Sequence, residues 1–233
     1  MTESRADVMD TGARIIAALS EIGARDVLDI GCGQGALSRS LVRAGFAVTG
    51  IDPAPEAVAA ARLAVPEARF EACGAEAMPF EARTFDACVF LNSLHHVPVP
   101  LMQSALREAL RVLRPGGEVI IVEPLAEGAF FEVMRPVEDE TEIRHAAIRA
   151  IDAIVASGHA TGHATVTYER PTPVADLDAF ISYLTRVDPA RRSMAESKRD
   201  VIGRLFDIHL SQGPKGSVLN QPLRLWRLHP AEI

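Results

Sequence analysis

The chain lacks any long hydrophobic run. Nearly half of its 233 residues are apolar, yet no stretch approaches the ~20 uninterrupted apolar residues that a membrane helix needs, so no membrane insertion is expected. Met1 to Asp10 is polar and mixed in charge, without the apolar core of a signal peptide, and a cytoplasmic protein is expected. Cysteine is scarce. Cys32, Cys73 and Cys88 are odd in number and fall in or beside predicted strands, which suits buried reduced thiols rather than a disulfide framework or a CxxC metal site. Surplus positive charge is missing as well. A net charge of −7 argues against a general nucleic-acid binder, which needs a clustered positive surface. Arg186, Arg191, Arg192, Lys198, Arg199 and Arg204 do cluster, but Asp188, Glu196 and Asp200 are interleaved with them, as on a solvated helix face. There is no repeat and no low-complexity segment. The length suits one domain with a well-buried core.

What is present is concentrated at Val27-Leu28-Asp29-Ile30-Gly31-Cys32-Gly33-Gln34-Gly35, with Asp52 closing the next apolar run. This reads as a buried strand, a glycine turn and a helix start, then a second strand ending in a carboxylate. Glycine tolerates the positive φ of a tight strand-to-helix turn and lets the backbone approach a ligand. Asp52, 21 residues after Gly31, is placed to accept hydrogen bonds from ribose hydroxyls. The pattern points to an adenosine-containing cofactor. Gly31-x-Gly33-x-x-Ala36 also meets the looser dinucleotide fingerprint, so NAD enters the comparison.

Continuous apolar strands are expected at Val27–Ile30, Ala47–Ile51, Phe85–Leu91 and Val119–Val122, with a weaker one near Arg69–Ala72, as in a parallel sheet buried on both faces. Helices are expected near Arg5–Ile22, Gly35–Ala44, Pro55–Ala64 and Pro100–Leu113, the last stopped by a turn at Arg114-Pro115-Gly116-Gly117. In the second half, Pro136 and the acidic residues after it predict a helix start, with Ile143, Ala147, Ile151 and Val155 on one face and Ser157-Gly158 at its end. Thr165–Arg170 is predicted as a short strand. Thr172-Pro173 is predicted to open another helix, and Asp188-Pro189 a third running to Gln212. Pro222–His229 is the predicted final strand.

The glycine-turn segment resembles motif I of the class I S-adenosylmethionine (SAM)-dependent methyltransferases. Ile51-Asp52-Pro53, Ala77-Met78-Pro79-Phe80, Phe85-Asp86-Ala87-Cys88-Val89 and Leu110-Arg111-Val112-Leu113-Arg114-Pro115-Gly116-Gly117 resemble the family's later motifs, in order, over about residues 25 to 124. The pattern is similar to the small-molecule branch typified by ubiquinone and menaquinone biosynthesis methyltransferases. The resemblance implies an α/β, Rossmann-like, seven-stranded and mostly parallel sheet with helices on both faces. It also implies a last strand antiparallel beside the fifth and helical lid insertions in the C-terminal half. Residues 1–233 are then one domain, with its core at about 25–124 plus the C-terminal strands and lid segments at about 128–158 and 172–212.

The implied activity is methyl transfer from SAM, leaving S-adenosylhomocysteine, to oxygen, nitrogen or carbon of a small-molecule acceptor. Two alternatives stand beside it: a SAM-binding protein without methyl transfer, regulatory or running a different SAM reaction, and an NAD-dependent oxidoreductase. By the resemblance, Asp29, Gly31, Cys32, Gly33 and Gly35 hold the methionine portion of SAM, although Asp29 can equally stabilise the turn by accepting backbone amides. Asp52 and Pro53 lie at the ribose, where the alternative for Asp52 is a helix cap. Ala75 and Glu76 lie beside adenine. The chain departs from the family at Gly74, where many relatives carry Asp, so the backbone of Ala75 is expected to do more and Glu76 either assists or faces solvent. Asn92 and Ser93 follow the fourth strand at the carboxyl edge, where ligands bind in open α/β sheets.

His95 and His96 are the only paired histidines, and either is a candidate general base. The plainer reading packs one against the sheet and leaves the other solvated. Asn92-Ser93-Leu94-His95 lacks the Asn-Pro-Pro-aromatic signature of DNA and protein amide methyltransferases. His159-x-x-x-His163 has metal-ligand spacing only on a helix, which Gly158 and Gly162 break, so a loop is expected and no metal. Arg135, His145 and Arg149 either bind an acidic substrate or are surface charges.

Overall fold

The computed structural model describes residues 10–187, 189–214 and 216–231. In chain order the elements are α1 (Thr11–Glu21), β1 (Asp26–Ile30), α2 (Ala36–Arg43), β2 (Ala47–Asp52), α3 (Pro55–Ala64), β3 (Arg69–Ala72), β4 (Phe85–Leu91), α4 (Met102–Arg111), β5 (Leu113–Pro124), α5 (Ala129–Met134), α6 (Thr141–Ala156), β6 (Ala160–Pro173), α7 (Leu177–Val187), α8 (Arg192–Ser197), α9 (Arg199–His209), β7 (Ser211–Gly213) and β8 (Gly216–Pro230). The sheet runs β3-β2-β1-β4-β5-β8-β6, with β7 paired to β8 alone. Strands β3, β2, β1, β4 and β5 are mutually parallel, and the last strands run antiparallel. Because β1 has β2 on one side and β4 on the other, the strand order reverses at β1. This is the topological switch point, where crossover helices diverge and open a crevice at the carboxyl ends of the strands.

The chain forms two compact units. The first comprises residues 1–123, 146–166 and 224–233. Its strands are continuous apolar runs because both faces of the sheet are covered: Leu28, Ile30, Cys88, Phe90 and Ile121 are at most 1% exposed. Helix α4 buries Met102, Ala105, Leu106 and Ala109, the one-sided spacing of an amphipathic helix. The same core takes in Ile151 and Ile154 of α6 and Trp226 and Leu228 of β8. Helix α3 begins with Pro55 in its first turn, where the missing N–H has no intrahelical partner to lose, and packs Val58 and Ala61 against Phe70 of β3.

The second unit comprises residues 124–145 and 167–223. Its core joins Phe130, Phe131 and Met134 of α5 to Phe180 and Leu184 of α7 and to Ile202 and Phe206 of α9. Phe130 meets Phe180 edge-on at 5.4 Å between ring centroids. Arg144 is buried there with its charge answered locally. It donates to Glu140 (2.7 Å) and to the Leu125 carbonyl (2.9 Å), and its guanidinium lies 4.7 Å from the centre of the Phe131 ring. A buried charge persists only with such partners.

The first half follows expectation closely, and the second departs from it in several places. The expected turn at Arg114–Gly117 lies inside β5 as an irregularity: Phe85 pairs with Leu113 and Ala87 with Glu118, so five steps on β5 answer two on β4. Eight strands are present among the described residues where seven were expected, because the three-residue β7 forms a hairpin with an early-starting β8. Pro136 does not start a helix. It follows α5, and α6 begins at Thr141, whose N–H donates to Asp139 Oδ1 (3.0 Å). Nor does Thr172-Pro173 open a helix: β6 runs through Pro173, and the Ala179 N–H caps on Asp176 Oδ1 (2.8 Å) ahead of α7. The predicted short strand at Thr165–Arg170 is present as part of the longer β6, which starts at Ala160 and so takes up most of the predicted loop at His159–His163. The third predicted helix is broken into α8 and α9. Its opening residue Asp188, and residues 5–9 of the predicted first helix, lie outside the described residues.

Candidate functional site

A cleft of about 610 Å³ opens at the switch point. Its lining comes from the ends of β1 (Ile30, Gly31, Gly33), β2 (Ile51, Asp52, Pro53) and β4 (Phe90, Asn92, Ser93, His96, Val97, Pro98) and from residues 73–76 after β3. All of it belongs to the first unit. The turn after β1 is built on Gly31, which has φ +73°. A Cβ at that position would lie 2.5 Å from Ser93 Cβ. Glycine is therefore required twice, for the left-handed backbone and for the close approach of the β4 exit. Two main-chain donors of the turn, Gly31 N–H and Cys32 N–H, converge on the Ile51 carbonyl (2.8 and 2.9 Å). Ser93 Oγ donates to the Ile30 carbonyl (2.6 Å), tying the β4 exit to β1.

Asp52 stands at the tip of β2, half-buried. Its Oδ2 accepts the Gly33 N–H and its Oδ1 the Ala54 N–H, each at 2.9 Å. Asp52 thus caps the start of the α3 segment and pins the glycine turn, while a carboxylate oxygen accepting one hydrogen bond keeps a second lone pair for a ligand hydroxyl. Asp29 is 1% exposed and accepts the Ser38 hydroxyl (2.6 Å). Burial pushes its carboxyl up to about 6. The turn's thiol, Cys32, is likewise pushed up, first by burial and then by the charges of Asp29 and Asp52, so it behaves as an apolar filler and not a nucleophile.

Nine of the residues predicted for the site line the cleft: Gly31, Gly33, Asp52, Pro53, Ala75, Glu76, Asn92, Ser93 and His96. Asp29, Cys32, Gly35 and His95 are not among the lining residues. Asp29 and Cys32 are buried within the turn. Gly35 starts α2 with φ +82°, and a Cβ there would touch Val65 and Ala61 of the α3 region at 3.3 and 3.4 Å, so it serves helix packing. His95 is buried (5% exposed), and its Nδ1 is bonded to Glu123 Oε2. His96 is exposed at the cleft, with its ring centroid 4.1 Å from that of His95.

Asn92 has φ +51°, a backbone conformation that asparagine adopts more readily than other side-chain-bearing residues. Its side-chain oxygen is buried without a hydrogen-bond partner. An orphaned acceptor at a cleft wall, beside a glycine-bare turn and two carboxylates, fits a ligand that brings hydroxyl and amine donors, as SAM does.

Sequence reasoning missed Glu123. At the end of β5 and 1% exposed, it accepts the Ser93 N–H (3.2 Å) and Leu94 N–H (2.8 Å) on Oε1 and the His95 imidazole on Oε2. A carboxylate closing the apolar run Val119–Val122 was the available signal. Glu108 and Arg111 were missed too. The Met78 N–H donates to Glu108 (3.0 Å) and Arg111 donates to the Phe80 carbonyl (2.8 Å), bracing the segment after residue 76.

Residues 27–117 match the family model described as "Methyltransferase domain". The chain is 40% identical over 112 residues to a ubiquinone biosynthesis O-methyltransferase of Xanthomonas oryzae pv. oryzae (strain PXO99A), covering 46% of each. It is 39% identical over 103 residues to the protein of the same name in Stutzerimonas stutzeri, covering 42% of this chain and 44% of that protein. The chain thus matches somewhat less than half the length of these curated relatives. Among solved structures, the YcgJ protein of Bacillus subtilis superposes with a TM-score of 0.62 at 18% identity over 93% of this chain and 97% of that one. The cyclase SpnF does so with a TM-score of 0.62 at 19% identity over 94% and 82%. At these identities the superpositions establish the fold. The expected resemblance to class I SAM-dependent methyltransferases of the ubiquinone type therefore holds over the segment that builds the cleft.

Proposed function

We propose that this protein is a SAM-dependent methyltransferase acting on oxygen, nitrogen or carbon of a small-molecule acceptor. The observation that carries the reading is the glycine turn of β1, locked to Ser93 on one side and Asp52 on the other, inside the segment that matches the methyltransferase family. SAM, when bound, supplies a methyl group activated by its sulfonium. The protein's contribution is alignment and exclusion of water. On this reading Gly31, Gly33 and Asn92 receive the methionine portion, and Asp52 with Pro53 the ribose. Ala75 and Glu76 receive the base, with Asp29, Cys32 and Gly35 supporting the turn from behind. Ser93 holds the β4 exit in place. His96, at the cleft, is the candidate base for an acceptor proton, and His95 positions it through ring contact.

We take residues 1–233 as one methyltransferase domain, with the segments near 128–158 and 172–212 serving as its lid. No helix among the described residues is long and apolar enough to cross a membrane. The three free thiols support a cytoplasmic setting. A second reading, SAM-linked chemistry other than methyl transfer, has the support that one structure of this fold is a cyclase by name. Isothermal titration with SAM, S-adenosylhomocysteine and NAD tests the cofactor. Heat with the first two and none with NAD is expected, and a folded protein silent toward SAM and S-adenosylhomocysteine sinks the proposal. With an acceptor found by metabolite screening, His96→Ala is expected to lower turnover about 100-fold. Full turnover in that variant leaves catalysis to alignment alone.

A further inference from the structure

Among the described residues, two that carry a side chain have a left-handed backbone, Arg83 (φ +61°) and Asn92 (φ +51°). They flank β4, one shortly before Phe85 and the other directly after Leu91. Asn92 lines the cofactor cleft. Arg83 lines a second cavity of about 620 Å³, as large as the first, at the opposite end of the same strand. The seven residues of β4 hold the two apart by about 20 Å, at ~3.3 Å per residue. Asparagine takes up this backbone readily, whereas arginine has no side-chain group that favours it. Such strain persists only where the surroundings impose it, and it concentrates at binding sites.

The second cavity lies wholly within the first unit. Its ionisable lining is basic throughout. Arg83, Arg111, Arg114 and His229 line it, and among the described residues no Asp or Glu does. That sorting stands out in a chain of net charge −7. The carboxylates stand behind the lining and hold the cations in place. Arg114 Nη1 donates to Asp26 (2.7 Å) and Asp86 (2.8 Å), which leaves its Nε and Nη2 without a partner among the described residues. Arg111 is fixed by Glu108 (2.6 and 2.7 Å) and by the Phe80 carbonyl (2.8 Å). His229 Nδ1 donates to the Gly117 carbonyl (3.2 Å). The Arg83 guanidinium is exposed, and no hydrogen bond or ion pair among the described residues engages it. Guanidinium donors already held in position match the geometry of a carboxylate or a phosphate and lose little freedom on binding one. Leu113 and Pro230 add apolar wall beside them.

We propose that this cavity is a second ligand site, for a small organic anion that joins a carboxylate or phosphate head to an apolar body. Arg83 and the free edge of the Arg114 guanidinium take the head, and Arg111 adds fixed positive charge. Leu113 and Pro230 receive the body. The site is separate from the cofactor cleft and does not depend on the SAM reading.

The test is calorimetric titration of benzoate and phenyl phosphate, with benzamide as the uncharged counterpart, into the wild type, Arg83→Ala and Arg83→Gly. At least one anion should bind the wild type with a Kd of about 1 mM or tighter, and benzamide at least about tenfold more weakly. The tighter of the two anions identifies the head group. Arg83→Ala should weaken that anion about tenfold at an unchanged thermal midpoint. Arg83→Gly should weaken it as much while the midpoint holds or rises, because glycine accepts the left-handed backbone. Saturating S-adenosylhomocysteine should leave the anion's affinity within about twofold, as for two separate sites. A folded wild type that binds neither anion overturns the proposal, as does benzamide binding as tightly as benzoate and phenyl phosphate. Full affinity in both Arg83 variants overturns it too, and displacement of the anion by S-adenosylhomocysteine would put the anion in the cofactor cleft instead. Anion binding by a protein that ignores S-adenosylhomocysteine upholds this site and sinks only the cofactor assignment.

Discussion

The cleft has two walls, each held by a carboxylate, and the two carboxylates differ in what they have left to offer. Asp52, on the β1–β2 side, is half-buried and gives each oxygen to one backbone amide, which leaves each oxygen a further lone pair. Glu123, behind the β4 side, is 1% exposed and is committed to two amides and an imidazole. The first can serve both fold and ligand. The second holds the segment carrying Asn92, Ser93 and His96 and is not among the residues that line the cleft. On the proposed function the two carboxylates divide the work by depth, the one at the rim for recognition and the one inside for rigidity, and their substitutions should separate into affinity and stability.

Glu123→Ala sharpens that division most. It strands two amides and a buried imidazole, and should cost about 3–5 kcal/mol in urea denaturation; a loss under about 1 kcal/mol would show that water replaces the carboxylate there. Asp29, buried in the rim wall, comes next. Its native carboxyl, held at about 6 against 3.8 when exposed to water, makes the folded state bind the extra proton between those values. Stability should therefore fall as pH rises from about 4 to 6, by about 3 kcal/mol in total. Asp29→Asn should flatten that slope, and an unchanged slope would assign it to other groups. Asp52→Ala should weaken S-adenosylhomocysteine binding by about 1–3 kcal/mol in calorimetry. Unchanged affinity would remove Asp52 from the site and collapse the two walls into one kind. His96→Ala, at the exposed rim, should move the unfolding midpoint least, within about 0.5 kcal/mol of wild type.

The wall built on β1 and β2 was legible in the sequence because its parts are short-range. Apolar runs, a glycine turn and a carboxylate 21 residues on are each dictated by local geometry, and β4 was located to the residue. The β4 wall was half legible. His95 and His96 stood out as a pair, but nothing local says that one is buried on Glu123, 28 residues away, and the other exposed. In the second unit the misreadings share a cause. Pro136 and Pro173 were read as helix starts by a rule about φ, and pairing decided otherwise, keeping Pro173 in β6 and leaving Pro136 beyond α5.

The sequence alone determined the parallel core, the glycine turn and the carboxylate at the second strand tip, since backbone sterics and hydrophobic periodicity act over a few residues. Only the tertiary structure decided which histidine reaches the cleft, which carboxylate braces it, and that β7 adds an eighth strand. Each of those depends on contacts between elements distant in the chain, where burial and an available partner outweigh local preference.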